Sequence, residues 1–84
     1  MRVVCIYRKK QDYTRSVEEW LENFYRQTGR KIETMDPDTN PQFCETYDVV
    51  AFPTIMALGD RGEVRASWRG RELPLMNEVL FYMV

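Results

Sequence analysis

The first apolar run, Arg2–Tyr7 (RVVCIY), is β-branched and aromatic almost without interruption. That is the pattern of a strand covered on both faces. A polar loop, RKKQD, follows it. Val17, Trp20, Leu21 and Phe24 then recur at the spacing of one helical stripe. Asp12 caps a helix beginning near Tyr13; Ser16 with Glu19 forms a capping box for one beginning at Ser16. Either helix ends at Thr28, before Gly29 as C′ residue. Arg30–Asp36 alternates, with Ile32 and Thr34 on one side and Glu33 and Met35 on the other, and predicts a short strand. Asn40 as N-cap and Pro41 as N1 open a short helix to about Tyr47. Pro53–Leu58 and Glu63–Trp68 read as strands around Gly59-Asp60-Arg61-Gly62, an antiparallel hairpin. Leu75, Met76, Val79, Leu80 and Met83 mark a final amphipathic helix. The order β-α-β-α-β-β-α predicts an α/β fold. Its mixed four-stranded sheet carries helices on both faces, with the first two strands parallel. No repeat, low-complexity segment or linker divides residues 1–84, so one domain is expected.

Composition narrows the chemistry. The 84 residues are 44% hydrophobic and 30% charged, with net charge −1. That balance lacks the basic excess nucleic-acid binding requires. There is no histidine, which removes imidazole catalysis, His-ligated metals and a histidine pH switch. Neither a signal-peptide pattern nor an apolar run of membrane-spanning length occurs. The expectation is therefore a cytoplasmic protein that meets neither nucleic acid nor membrane, with Cys5 and Cys44 as reduced thiols. Cysteine spacing offers no metal site and no Cys-x-x-Cys pair.

Pro53 sits inside an apolar run, VVAFPTIMA, although proline cannot donate to a ladder. The segment Tyr47–Val64, YDVVAFPTIMALGDRGEV, resembles the thioredoxin pattern Tyr-x-Val-x-x-x-Pro-Thr, an apolar strand, a glycine turn and Gly-Glu-Val. With the element order, the resemblance to the thioredoxin-like superfamily covers nearly the whole chain and implies a minimal thioredoxin fold. It implies that the Phe52–Pro53 peptide is cis and that Pro53 begins the third strand. In thioredoxins the backbone before this proline pairs with a bound segment. Phe52, Pro53 and Thr54 are thereby candidate ligand-binding residues.

Thioredoxins and glutaredoxins carry their reactive cysteine where the first strand meets the first helix. Counted from the helix, that slot falls on Gln11, Asp12, Tyr13 and Thr14; a count from Tyr7 shifts it to Asp12–Arg15. Neither register contains a thiol. Cys5 lies within the first strand, where an apolar surrounding keeps a thiol protonated and inert. Cys44 lies on the second helix. A displaced nucleophile at Cys44, or at Cys5, is the alternative that keeps thiol–disulfide oxidoreductase chemistry and a redox-homeostasis role.

Arg8, Lys9, Lys10 and Arg15 surround the helix N-terminus, an arrangement suited to an anion. Tyr7-Arg8-Lys9 is similar to the glutaredoxin Tyr-x-Lys. That makes glutathione the one small ligand the resemblance suggests and adds Tyr7 to Lys9, Lys10 and Arg15 as ligand candidates. No cofactor or metal is expected otherwise. Phe52, an aromatic beside a free backbone edge, suits strand addition. Trp20, Phe24 and Tyr25 are expected mainly in the core, as are Met35, Met56, Met76 and Met83. The terminal LFYMV is apolar enough for weak self-association. The expectation is a degenerate, redox-inactive binding domain, monomeric or a weak homodimer, with a protein or peptide partner.

Overall fold

The computed structural model describes residues 1–83. β1 (Arg2–Ile6), α1 (Thr14–Thr28), β2 (Glu33–Met35), α2 (Pro41–Thr46), β3 (Thr54–Leu58), β4 (Val64–Arg69) and α3 (Met76–Leu80) follow in order, and a 3₁₀ turn over Phe81–Met83 extends the last helix. The sheet runs β2-β1-β3-β4. β1 pairs parallel with β2, while β3 is antiparallel to both β1 and β4.

The side-chain period of two sorts β1 onto two faces. Val3, Cys5 and Tyr7 join Ile55 and Ala57 beneath α1 and α3, represented by Val17, Phe24 and Val79. Val4 and Ile6 join Met56 and Leu58 on the opposite face, where Phe43 and Cys44 of α2 close the layer. This double coverage explains the unbroken apolar runs in β1 and β3, whose buried residues include Val4, Cys5, Ile6, Met56 and Ala57, all at 0% exposure. Phe24, equally buried, stacks on Trp20 at 5.3 Å between ring centroids. Full burial of one such aromatic stabilises by about 2–3 kcal/mol.

Several local expectations change. α1 starts at Thr14, between the two expected starts, and no side chain caps it. The Ser16–Glu19 box does not form, because Ser16 is already the third residue of the helix and Glu19 pairs with Arg15. Asp12 does not cap either; its carboxylate is held by Arg71. Gly29 ends α1 as expected, at φ +69°, its N–H donating to the Tyr25 carbonyl at 2.8 Å. Asn40 precedes α2, but its amide turns back to donate to the Asp36 carbonyl at 2.9 Å. β3 begins at Thr54, one residue after Pro53, and β4 lies one residue later than expected. Opposite Ala57 stands Ala66 and opposite Leu58 stands Val64, so Arg65 is an extra residue that bulges the free edge. Tyr25 is 55% exposed rather than in the core. The four methionines fill both layers: Met56 is buried, and Met35, Met76 and Met83 pack half-buried against the two clusters.

Candidate functional site

The end of β1 and the start of α1 are joined by a loop that folds onto itself. Lys10 adopts φ +66° to make the turn. The Arg8 N–H donates to the Tyr13 hydroxyl oxygen at 2.9 Å. The Thr14 hydroxyl donates to the Arg8 carbonyl at 2.7 Å and accepts the Gln11 N–H at 3.0 Å. Tyr13 stands at the N-cap of α1, and its carbonyl accepts the Val17 N–H at 3.1 Å. The slot Gln11-Asp12-Tyr13-Thr14 thus carries hydroxyls, an amide and a carboxylate, with the Tyr13 and Thr14 hydroxyls bonded to the loop backbone and Gln11 and Asp12 exposed.

A second segment closes over it. After β4 the chain passes Gly70, at φ +100°, whose N–H donates to the Pro53 carbonyl at 2.8 Å. The next residue, Arg71, grips the Asp12 carboxylate with both terminal nitrogens, at 2.8 and 2.9 Å. Its guanidinium lies 5.8 Å from the Tyr13 ring centroid. The fork holds the Asp12 carboxyl below the usual carboxylate range.

The Phe52–Pro53 peptide is cis. Pro53 is buried, and the Thr54 hydroxyl, fully buried, donates to the Ala51 carbonyl at 2.6 Å. Phe52 itself is half-buried. Among the described residues its backbone N–H and carbonyl have no hydrogen-bond partner. The Arg8 guanidinium lies over the Phe52 ring, 4.7 Å from the centroid. The same guanidinium reaches the Asp38 carboxylate, at 3.1 Å from Nε and 3.0 Å from Nη2. Arg8 therefore ties three loops together: the slot through its backbone, the proline loop through stacking, and the β2–α2 turn through Asp38.

The other basic residues do not converge there. Lys9 lines a depression of about 180 Å³ with Tyr7, Thr34, Met35 and Asp36. Lys10 and Arg15 lie with Gln11 and Thr14 over the outer surface of α1, among Glu18, Glu19 and Glu22. Arg15 is spent on its own helix, 3.2 Å from Glu19. The Tyr7 hydroxyl donates to Glu18 at 2.9 Å, and burial, then that bond, pushes its pKa up to about 12. It is committed beneath the slot.

The thiols are separated by the sheet. Cys5 is 0% exposed in the layer under α1, where burial pushes its pKa up to about 12. Cys44 is half-buried on α2, in the opposite layer. Its burial raises the pKa; Arg8 nearby pulls it down and Asp38 pushes it up. Among the described residues no cluster of Cys, Asp or Glu is arranged to hold a metal ion, and no helix is long and apolar enough to cross a membrane. Arg71 and Asp38, central to this geometry, escaped the sequence reading.

Comparison with known proteins matches this fold. Among solved structures, thioredoxin 1 from the thermophilic eubacterium Thermosipho africanus superposes with TM-score 0.68 at 16% identity, over 99% of this chain and 90% of that one. A malarial protein superposes with TM-score 0.69 at 16% identity, over 96% of this chain and 90% of that one. No family model matches the sequence, and no curated protein does. At such identity the likeness establishes the architecture: the chain has a thioredoxin-like fold.

Proposed function

We propose that this thioredoxin-fold chain is a binding domain that performs no thiol exchange at the fold's usual position. It holds an extended peptide, or a small anionic ligand, in the groove beside the Phe52–Pro53 loop. One observation carries the reading: the slot is thiol-free and held by Arg71, while the Phe52 backbone beside it has no partner among the described residues. A ligand backbone satisfies those two groups by adding a short antiparallel segment, and the Phe52 ring supplies an apolar wall. Fold alone does not carry the chemistry of thioredoxins, and neither thiol supports it. Cys5 is enclosed, and Cys44 lies across the sheet from Cys5, too far for a disulfide without rebuilding the core.

The competing reading is a thiol–disulfide oxidoreductase acting through Cys44, drawn from its proximity to Arg8. Reduction of insulin and of a glutathione mixed disulfide separates the two. Wild type is assayed beside Cys44→Ser and Cys5→Ala; alanine is chosen because a serine hydroxyl would lack a partner in that apolar layer. No turnover above the reductant blank is expected in any of them. Turnover lost in one variant overturns the binding-domain reading and locates the nucleophile. Phe52→Ala is expected to abolish binding of any peptide selected by the wild type.

A further inference from the structure

Resting on the groove reading, we infer that Arg8 is its specificity residue and Asp38 a resident stand-in for ligand. An extended peptide lying along Phe52 exchanges a carboxylate of its own for that of Asp38 on the Arg8 guanidinium. The ligand class is then an Asp- or Glu-bearing peptide.

The geometry supports exchange rather than a fixed structural link. Arg8 is already poised at the groove over Phe52, the residue whose backbone has no partner among the described residues. A guanidinium held over an aromatic ring keeps its edge donors free and recognises a carboxylate with two bonds. The Asp38 side chain is 65% exposed and that of Arg8 38%, so the present pair is a surface pair. Such pairs are weak and screened by salt. One carboxylate replaces another on Arg8, and the displaced Asp38 carboxylate, 65% exposed, is left to water.

Asp38 is also dispensable to its own turn. The β2–α2 turn is organised by Asp36: its carboxylate accepts the Asp38 N–H at 2.8 Å, and its carbonyl accepts the Asn40 amide at 2.9 Å. The Asp38 carboxylate bonds only to Arg8 among the described residues. Arg8 in turn braces the slot through backbone groups that survive substitution of its side chain. The two side chains are therefore free to serve recognition.

The test is an array of short end-blocked peptides carrying Asp, Glu, Asn or Gln at each position in turn. It is probed with wild type, Asp38→Asn, Arg8→Lys, Phe52→Ala and Glu33→Gln. Glu33→Gln is the charge-matched control: it opens a like clasp on Arg2, at the other end of β1. Asp38→Asn is expected to tighten acidic peptides about two- to fivefold, the scale of losing a weak surface competitor, and to leave their amide counterparts unchanged. Arg8→Lys, which keeps the charge and loses the fork, is expected to weaken the preference for Asp and Glu; an unchanged preference overturns the inference. Equal tightening by Asp38→Asn and Glu33→Gln overturns the inference, because net charge then explains the gain. Binding that Phe52→Ala abolishes but that shows no acidic preference also overturns it and leaves the groove reading intact. Binding by none of the proteins removes the groove reading and this inference with it.

Discussion

Thiol accessibility tests most directly whether Cys5 is sealed from reaction within β1. The perturbation is alkylation of the native protein by iodoacetamide at pH 8, where an ordinary thiol is partly ionised. Burial raises Cys5 from 9.0 to about 12. Each pH unit is a factor of ten, so the thiolate fraction falls about a thousandfold. Access adds a second factor. At 0% exposure, Cys5 meets reagent only when β1 opens. Opening that needs most of the global stability, about 5 kcal/mol or more for a small domain, is populated at roughly one part in several thousand. The two factors overlap, since an opened state restores the ordinary pKa; the thousandfold figure is therefore the smaller, safer expectation. Cys44 is half-buried and so within reach of reagent, although its burial raises the thiol pKa. Quenched time points read by intact mass and peptide mapping should show Cys44 modified to completion while Cys5 remains unlabelled. Labelling of Cys5 within tenfold of Cys44, with the near-ultraviolet circular dichroism still native, would refute the reasoning. β1 would then not be sealed on both faces, and Cys5 would return as a nucleophile.

Three further outcomes follow from particular contacts. Tyr7 is expected to ionise well above 10.0 in an absorbance titration compared with Tyr7→Phe, since its phenol is raised from 10.0 to about 12. The stability drawn from the neutral phenol is complete below pH 10.0 and is lost as pH rises toward 12; a Tyr7 phenol that ionises near 10.0 contradicts the burial. Gly29→Ala is expected to cost about 1–2 kcal/mol in urea denaturation, from backbone conformation alone. An added Cβ there meets nothing within 4 Å, so an unchanged midpoint would mean that α1 ends differently. Asp12 and Asp38 both titrate below 3.8 through their arginine partners. Their clasps persist above that value and open only as pH falls through the lowered ones; Arg8 and Arg71 Nε–H resonances that move between pH 5 and 7 would contradict them.

The fold was legible wherever burial is periodic. β1 and β3 are enclosed on both faces, and enclosure leaves an unbroken apolar run that alternation cannot blur. The α1 stripe and Gly29 work for the same local reason: the signal and the structure lie within a few residues of each other. Asn40 stands at the N-cap of α2 as expected, but the expected side-chain caps of α1 and α2 do not form, because a cap is decided by what else the side chain can reach. Asp12 has a guanidinium 59 positions away, and Asn40 has the Asp36 carbonyl. Tyr25 was assigned to the core from its neighbours Trp20 and Phe24, yet it sits at the rim of the stripe and faces outward.

The site divides along the same line. That the slot lacks a thiol is a local property, visible in ten residues. What fills the slot instead is not local, because each clasp joins distant segments: Arg8 to Asp38 across 30 positions, and Arg71 to Asp12 across 59. The basic run Arg8-Lys9-Lys10 read as one patch because adjacency in sequence was taken for adjacency in space. A loop that turns through Lys10 at φ +66° sends its residues to three separate surfaces. Only Arg8 reaches the proline loop, because only Arg8 leaves β1 on the side where Phe52 stands. A positive cluster thus became one guanidinium, already occupied by a carboxylate of its own chain. Because Asp38 occupies that guanidinium, Asp38 rather than the lysines is the residue to substitute first.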